Sequence, residues 1–217
     1  MVVRDMTASG GRRARAAATE AALKAAATTV FEERGYLNTK ITDITAAAGR
    51  AAGSFYNHFA SKEELLESLL ADLFTEGDEA VAKHPPDHDL SDPTQLRWHI
   101  AGFWQIFQRH STVFVALQQA AMLDGRFAER LRALVQPEQR VMREHLEYLR
   151  DRGVRLPGDP SVVAAAMTAM WYQFAYGQLA GGMFDLGRRL SDDEAVDTLT
   201  AFTLRGLAGD VPDTGSA

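Results

Sequence analysis

Between Thr39 and Lys62 the chain reads TKITDITAAAGRAAGSFYNHFASK. Its polar members suit non-covalent reading of a surface better than bond chemistry. Arg50 carries a planar guanidinium that can bond a guanine edge in two places. Ser54 and Asn57 can bond base edges or phosphates, and Ala51 and Ala52 can touch a thymine methyl. Ala51, Ala52, Gly53 and Ser54 are small enough to let the backbone come close to a groove. Catalytic patterns are missing by comparison: the chain has no Gly-rich phosphate loop, no His-Glu-x-x-His and no G-x-S-x-G. It also has no cysteine, so disulfides, thiolate metal sites and cysteine nucleophiles are excluded. His84 and His88 are four apart beside Asp87 and Asp89, but Pro85 and Pro86 break any helix that would align them. We therefore expect no enzyme, no metal and no cofactor.

Two short helices must position the reading residues. The spacing predicts one opened by Thr39, with Ile41 and Ile44 facing inward and Ala46, Ala47 and Ala48 packing closely. Gly49 ends it where a left-handed residue is needed. A second runs from about Ala51 to His58, with Phe55 and Phe59 on its core side. Two short helices joined through a glycine turn are the mark of a DNA-reading unit. Before them, Ala22, Leu23, Ala26, Ala27, Val30 and Phe31 recur at helical steps in a first helix from about Arg12 to Arg34. Residues 1–11 are expected to lack order. After them, Ser61 and Glu64 form a capping box opening a fourth helix to about Ala82.

Phe31, Gly35, Tyr36, Thr39, Ile41, Asp43, Ile44, Ala48, Gly49, Gly53, Tyr56, His58, Phe59 and Lys62 stand at the spacing of one family's N-terminal pattern. Over residues 12 to 66 the chain resembles the TetR family of transcriptional repressors. The resemblance implies phosphate contacts from Tyr56, His58 and Lys62, and from Thr39 or Thr42. Arg12, Arg13 and Arg15 can add backbone or minor-groove contacts, as basic arms do. The chain departs from the family at Arg50-Ala51, where Val-Ser is usual, so the recognition helix lacks its capping serine. Charge agrees with this placement: residues 1–62 hold nine Lys/Arg against five Asp/Glu, a net of +4. Residues 63–217 hold 14 against 24, a net of −10. A basic end on an acidic body concentrates phosphate attraction at one place.

The whole chain is expected to be all-α, with about nine helices: a helix-turn-helix domain over 1–60 and an effector-binding and dimerisation domain over 61–217. The run from His84 to His88 is a break. Asp92-Pro93 starts a helix to about Arg109, and Ser111 caps the next, to about Met122. A long segment from Arg126 to Arg152 should bend or break near Val135, ahead of Pro137. Asp159-Pro160 starts a helix to about Ala180 that Gly181-Gly182 ends, and Ser191 opens the last, to about Leu207. The tail from Gly209 is expected to lack order.

Residues 161–184 carry no charged side chain. That length alone would permit a membrane span, but the stretch is Ala-rich with Thr168, Gln173, Gln178 and three glycines, so burial on both sides is the better reading. The resemblance implies a homodimer built on the last two helices, through Val163, Met170, Gly177 and Gly181 on one and Val196, Leu199, Thr203 and Leu207 on the other. Two-fold symmetry would then set two recognition helices about 34–36 Å apart on double-stranded DNA with a palindromic operator. Trp98, Phe103, Trp104, Phe107, Phe114, Trp171 and Phe174, with Met122 and Met167, form an aromatic and methionine set that can line a mostly apolar cavity. Gln118 and His145 are polar anchors for it. The effector expected there is hydrophobic or amphipathic. The alternative is a DNA-binding regulator or activator with no effector. No signal peptide is visible in the N-terminal residues, and a cytoplasmic protein is expected.

Overall fold

The computed structural model describes residues 5–82, 89–181 and 186–208. Among them are eight α-helices and no strand: α1 (Asp5–Arg34), α2 (Ile41–Ala47), α3 (Ala52–Phe55), α4 (Lys62–Val81), α5 (Pro93–Leu123), α6 (Gly125–Asp151), α7 (Pro160–Tyr176) and α8 (Asp192–Ala208). A π turn, Gly177–Gly181, continues α7. The all-α class is as expected. The break at residues 84–88, Gly182 and the tail from Gly209 lie outside the described residues.

Three expectations about the helices change. α1 begins at Asp5, not near Arg12, because the Arg- and Ala-rich run from 12 to 18 carries strong helix formers that propagate the helix upstream. The helices expected on either side of Ser111 run on as α5, and a kink at His110 (φ −119°, ψ 22°) divides them where the division was expected. α6 runs through Pro137 without a break. Pro137 and Ala133, whose carbonyl loses its usual donor, are both exposed, so water can replace the missing bond. The short helix α2 starts at Ile41 with Lys40 in the cap position, so Thr39 does not open it.

The chain divides into two compact units. One holds residues up to Asp72 together with Thr112–Ala128; the other holds Leu73–Ser111 and the residues from Glu129 onward. The first half of α4 thus groups with the N-terminal helices, whereas a cut at residue 60 would have separated them. In the first unit Leu23, Ala27, Val30, Phe31, Ile44, Phe55, Phe59, Leu65 and Leu66 are buried. In the second, Ile100, Trp104, Phe107, Leu146, Met167, Trp171, Leu199 and Leu207 are buried.

Candidate nucleic-acid interface

The turn between α2 and α3 is built by Gly49, whose φ of +62° only glycine adopts cheaply. Its N–H donates to Ala46 O (3.1 Å) and the Arg50 N–H to Thr45 O (2.8 Å). Those two bonds close α2 in a Schellman motif and fix the direction in which α3 leaves. Gly35, at φ +74°, ends α1 in the same left-handed region. Phe55 and Phe59 anchor α3 in the core with ring centroids 5.6 Å apart. As the missing serine implied, Ala51 offers α3 no side-chain cap.

With its apolar side held, the short helix turns the rest outward. Arg50, Ala51, Ala52, Gly53, Tyr56 and Asn57 are exposed, and Ser54 is half-buried. Tyr56 is 61% exposed, so most of its ring stands outside the core. Thr42 is exposed at the start of α2, and Arg12, Arg13 and Arg15 are exposed on α1. A Cβ added at Gly53 would meet nothing within 4 Å, and its φ is not positive, so the fold itself does not require glycine there.

Three residues that the resemblance assigned to phosphate are engaged inside the unit. Thr39 is buried, and its hydroxyl donates to Gly35 O at 2.8 Å. Lys62 donates to Tyr36 O (2.7 Å) and Thr39 O (2.8 Å), with its ammonium 3.9 Å from the centre of the Tyr36 ring. That geometry makes it a clamp across the α1–α2 connection. Burial pulls its pKa below the usual lysine value, against the opposing pull of Glu63. The imidazole of His58 is mostly covered and lies 3.9 Å from a Glu20 carboxylate oxygen.

Sequence reasoning missed the partners of this clamp. The Tyr36 hydroxyl donates to Glu63, and burial together with that bond pushes the tyrosine pKa well up. Burial raises the Glu63 carboxyl, but the bonds from Tyr36, its own backbone and Ser61, with the charge of Lys62, outweigh it and leave its pKa low. Lys24 on α1 pairs with Asp72 on α4 at 2.8 Å. The first half of α4 is therefore tied to α1 at Asp72 and to the α1–α2 connection at Lys62 and Glu63. Ser61 caps it through the Glu64 N–H (3.2 Å), as expected. The Glu64 carboxylate takes the N–H of Ala60, where a reciprocal box would take that of Ser61.

Residues 23–69, which include all of α2 and α3, match the model for bacterial regulatory proteins of the tetR family. Over those residues the chain is similar to the TetR family. It is 38% identical over 74 residues to the transcriptional repressor DhaR of Mycobacterium sp. (strain GP1), a stretch covering 34% of this chain and 37% of that one. It is 31% identical over 133 residues to the transcriptional repressor NicS of Pseudomonas putida, covering 59% and 62%. The matched stretches thus span less than two thirds of either relative. A TetR-like transcriptional regulator from Rhodococcus sp. RHA1 has the same fold over 88% of this chain and 97% of its own, with a TM-score of 0.66 and 25% identity.

Beyond that stretch, most of the residues expected at a dimer interface are buried. On α7, Val163 is buried, Gly177 beyond its end is buried, and Met170 is half-buried; Gly181 closes the π turn. On α8, Val196, Leu199, Thr203 and Leu207 are buried too. Of the residues expected to meet a partner, Val163, Gly177, Val196, Leu199, Thr203 and Leu207 are instead covered by their own unit. The Trp171 indole donates to the Thr203 hydroxyl at 2.9 Å, which turns that side of α8 onto α7. The outward stripes lie one residue round: Val162, Ala166, Ala169 and Gln173 on α7, and Thr198 and Phe202 on α8. Val162 is 64% exposed and Phe202 66%.

The aromatic set does come together in the second unit, as packing. Phe103 lies 6.2 Å from Trp171, Trp104 lies 6.0 Å from Phe174, and Phe107 lies 5.4 Å from Tyr172, ring centre to ring centre. The Trp104 indole donates to Asp192 at 2.9 Å. Met167 is buried, Trp98 is half-buried, and the His145 ring stands 5.6 Å from that of His99. Phe114, Gln118 and Met122 belong to the other unit, where Met122 is 76% exposed. None of these residues lines the cleft of about 320 Å³ that opens between α6 and α7. Among the described residues no group of three or more His, Cys, Asp or Glu is placed to hold a metal, and no helix is long and apolar enough to cross a membrane.

Proposed function

We propose that this chain is a DNA-binding transcriptional repressor that reads a palindromic operator as a homodimer and leaves it when a small hydrophobic or amphipathic effector binds. The observation that carries the reading is the split of α3. Phe55 is sealed in the core, while Arg50, Ala51, Ala52, Gly53, Tyr56 and Asn57 form one exposed, small and polar surface behind a fixed turn. A surface of that size and polarity suits the major groove. The names of DhaR and NicS, both transcriptional repressors, support the same role here. Arg50 reads a base, Tyr56 and Thr42 take phosphates, and Lys62 holds the unit together.

The dimer in this reading uses the outward stripes of α7 and α8. Val162, Ala166 and Ala169 give a flat apolar strip, and Phe202 is the large anchor beside it. An exposed Phe in line with such a strip is what a two-fold helical interface needs at its centre. The second reading, a regulator without an effector, is favoured by the interlocked packing of the aromatic set, which leaves Trp104 and Phe107 no free face.

Selection of bound sequences from a random DNA pool tests the main reading. The expected product is an inverted repeat with half-sites one helical turn apart or a multiple of that. Enrichment of a single unrepeated site, or of none, would refute it.

A further inference from the structure

The cleft between α6 and α7 lies wholly within the second unit, away from the aromatic set. Its polar lining consists of Arg140 and Arg143 on α6 with Gln136 and Gln139 beside them, and the hydroxyl residues Ser161 and Thr168 on α7. No Asp or Glu lines it. Pro137, Ala164 and Ala165 supply an apolar wall. The two arginines have carboxylate neighbours outside the cleft, Glu144 at 3.8 Å and Glu147 at 3.5 Å. The Glu147 contact is made by Arg143 Nε, which is shut off from solvent, and it falls short of a hydrogen bond. Both arginine–glutamate contacts are longer than a charge-assisted hydrogen bond, so the guanidinium N–H groups keep donor capacity for an oxyanion in the cleft. The volume, about 320 Å³, is at the small end of small-molecule sites.

We propose that this cleft holds the head of a small amphipathic anion, a carboxylate or phosphate joined to a short apolar chain, with Arg143 and Arg140 on the oxyanion and the chain against Pro137, Ala164 and Ala165. Planar guanidinium groups match both oxyanions by paired hydrogen bonds. The proposal rests on the effector reading above and gives the effector a chemical class and a place. It moves the site from the aromatic set to a groove whose walls are helices of one unit.

The test is calorimetric titration of the full-length protein without DNA, at fixed ionic strength, with hexanoate, hexyl phosphate and uncharged hexanamide. One or both anions should bind, and hexanamide should bind at least tenfold more weakly. The stronger anion tells carboxylate from phosphate. Arg143→Gln should weaken that anion by about tenfold, the loss expected for a charge-assisted contact at a half-exposed site, and Arg140→Gln should weaken it less. Circular dichroism should show both variants folded as the parent. Equal binding of all three probes, no binding of either anion, or unchanged affinity in the Arg140→Gln/Arg143→Gln double variant would overturn the proposal. The titration contains no DNA, so its failure leaves operator binding standing. Anion binding that leaves operator affinity unchanged would instead sink the release step while the site survived.

Discussion

Replacing Lys62 by Met separates a phosphate ligand from a structural clamp. Met keeps most of the stem and removes the ammonium, which now donates to Tyr36 O at 2.7 Å and Thr39 O at 2.8 Å. Hydrogen bonds from a charged donor contribute about 1.5–3 kcal/mol each when buried. Lys62 is half-buried, and Tyr36 O still accepts from the Thr39 N–H at 3.2 Å, so the low end applies. With the lost face of the Tyr36 ring included, the cost is about 2 kcal/mol. For a chain of this length that lowers Tm by about 4–8 °C. Hydrogen exchange read by mass spectrometry should show faster exchange confined to the α1–α2 connection and α2. DNA binding should weaken on all sequences, because a loosened α2 supports α3 poorly. The slope of log K against log salt should not change, whereas each lost phosphate contact would flatten it by about 0.9. A slope flatter by that amount, with Tm and exchange as in the parent, would refute the clamp and restore Lys62 to the phosphates.

Three further outcomes follow from the same geometry. Gly53→Ala meets no atom within 4 Å, so it should raise stability by about 0.5 kcal/mol while weakening operator binding at least tenfold; affinity equal to the parent's would remove the close-approach role of this glycine. Phe202→Glu alters a side chain 66% exposed, so the monomer should lose less than about 0.5 kcal/mol while sedimentation velocity shows the dimer gone; an intact dimer would move the interface elsewhere. The folded-state pKa of Glu63 is depressed, so the unfolded chain binds the proton more readily; the stability this carboxylate contributes is present above its ordinary value of 4.5 and is lost as pH falls through the lower folded value. Acid unfolding of Glu63→Gln should therefore lack that part of the pH dependence, and a curve superimposable on the parent's would contradict the assignment.

The reading unit was legible because its determinants are local. Gly35 and Gly49 mark left-handed positions by type alone, and Ile44, Phe55 and Phe59 mark the core by spacing. What was not legible depends on partners far along the chain. Lys62 looks like any exposed lysine at a helix start until Tyr36 and Thr39, 26 and 23 residues away, are placed against it. The partner-facing side of α7 failed for another reason. A helix apolar on nearly every side has almost no directional signal, so Val162 and Val163 are equivalent in sequence although one is 64% exposed and the other buried. Thr203 settles that orientation through its bond to Trp171, a contact across 32 residues. The cleft hides in the same way. Arg140–Glu144 and Arg143–Glu147 read as ordinary i,i+4 pairs on a solvated helix, and only the approach of α7 turns one side of them into a cavity wall. Aromatic residues drew attention to the core, where burial rewards them regardless of function. A ligand site needs polar groups held slightly out of balance, and here two arginines line a cleft that holds no carboxylate.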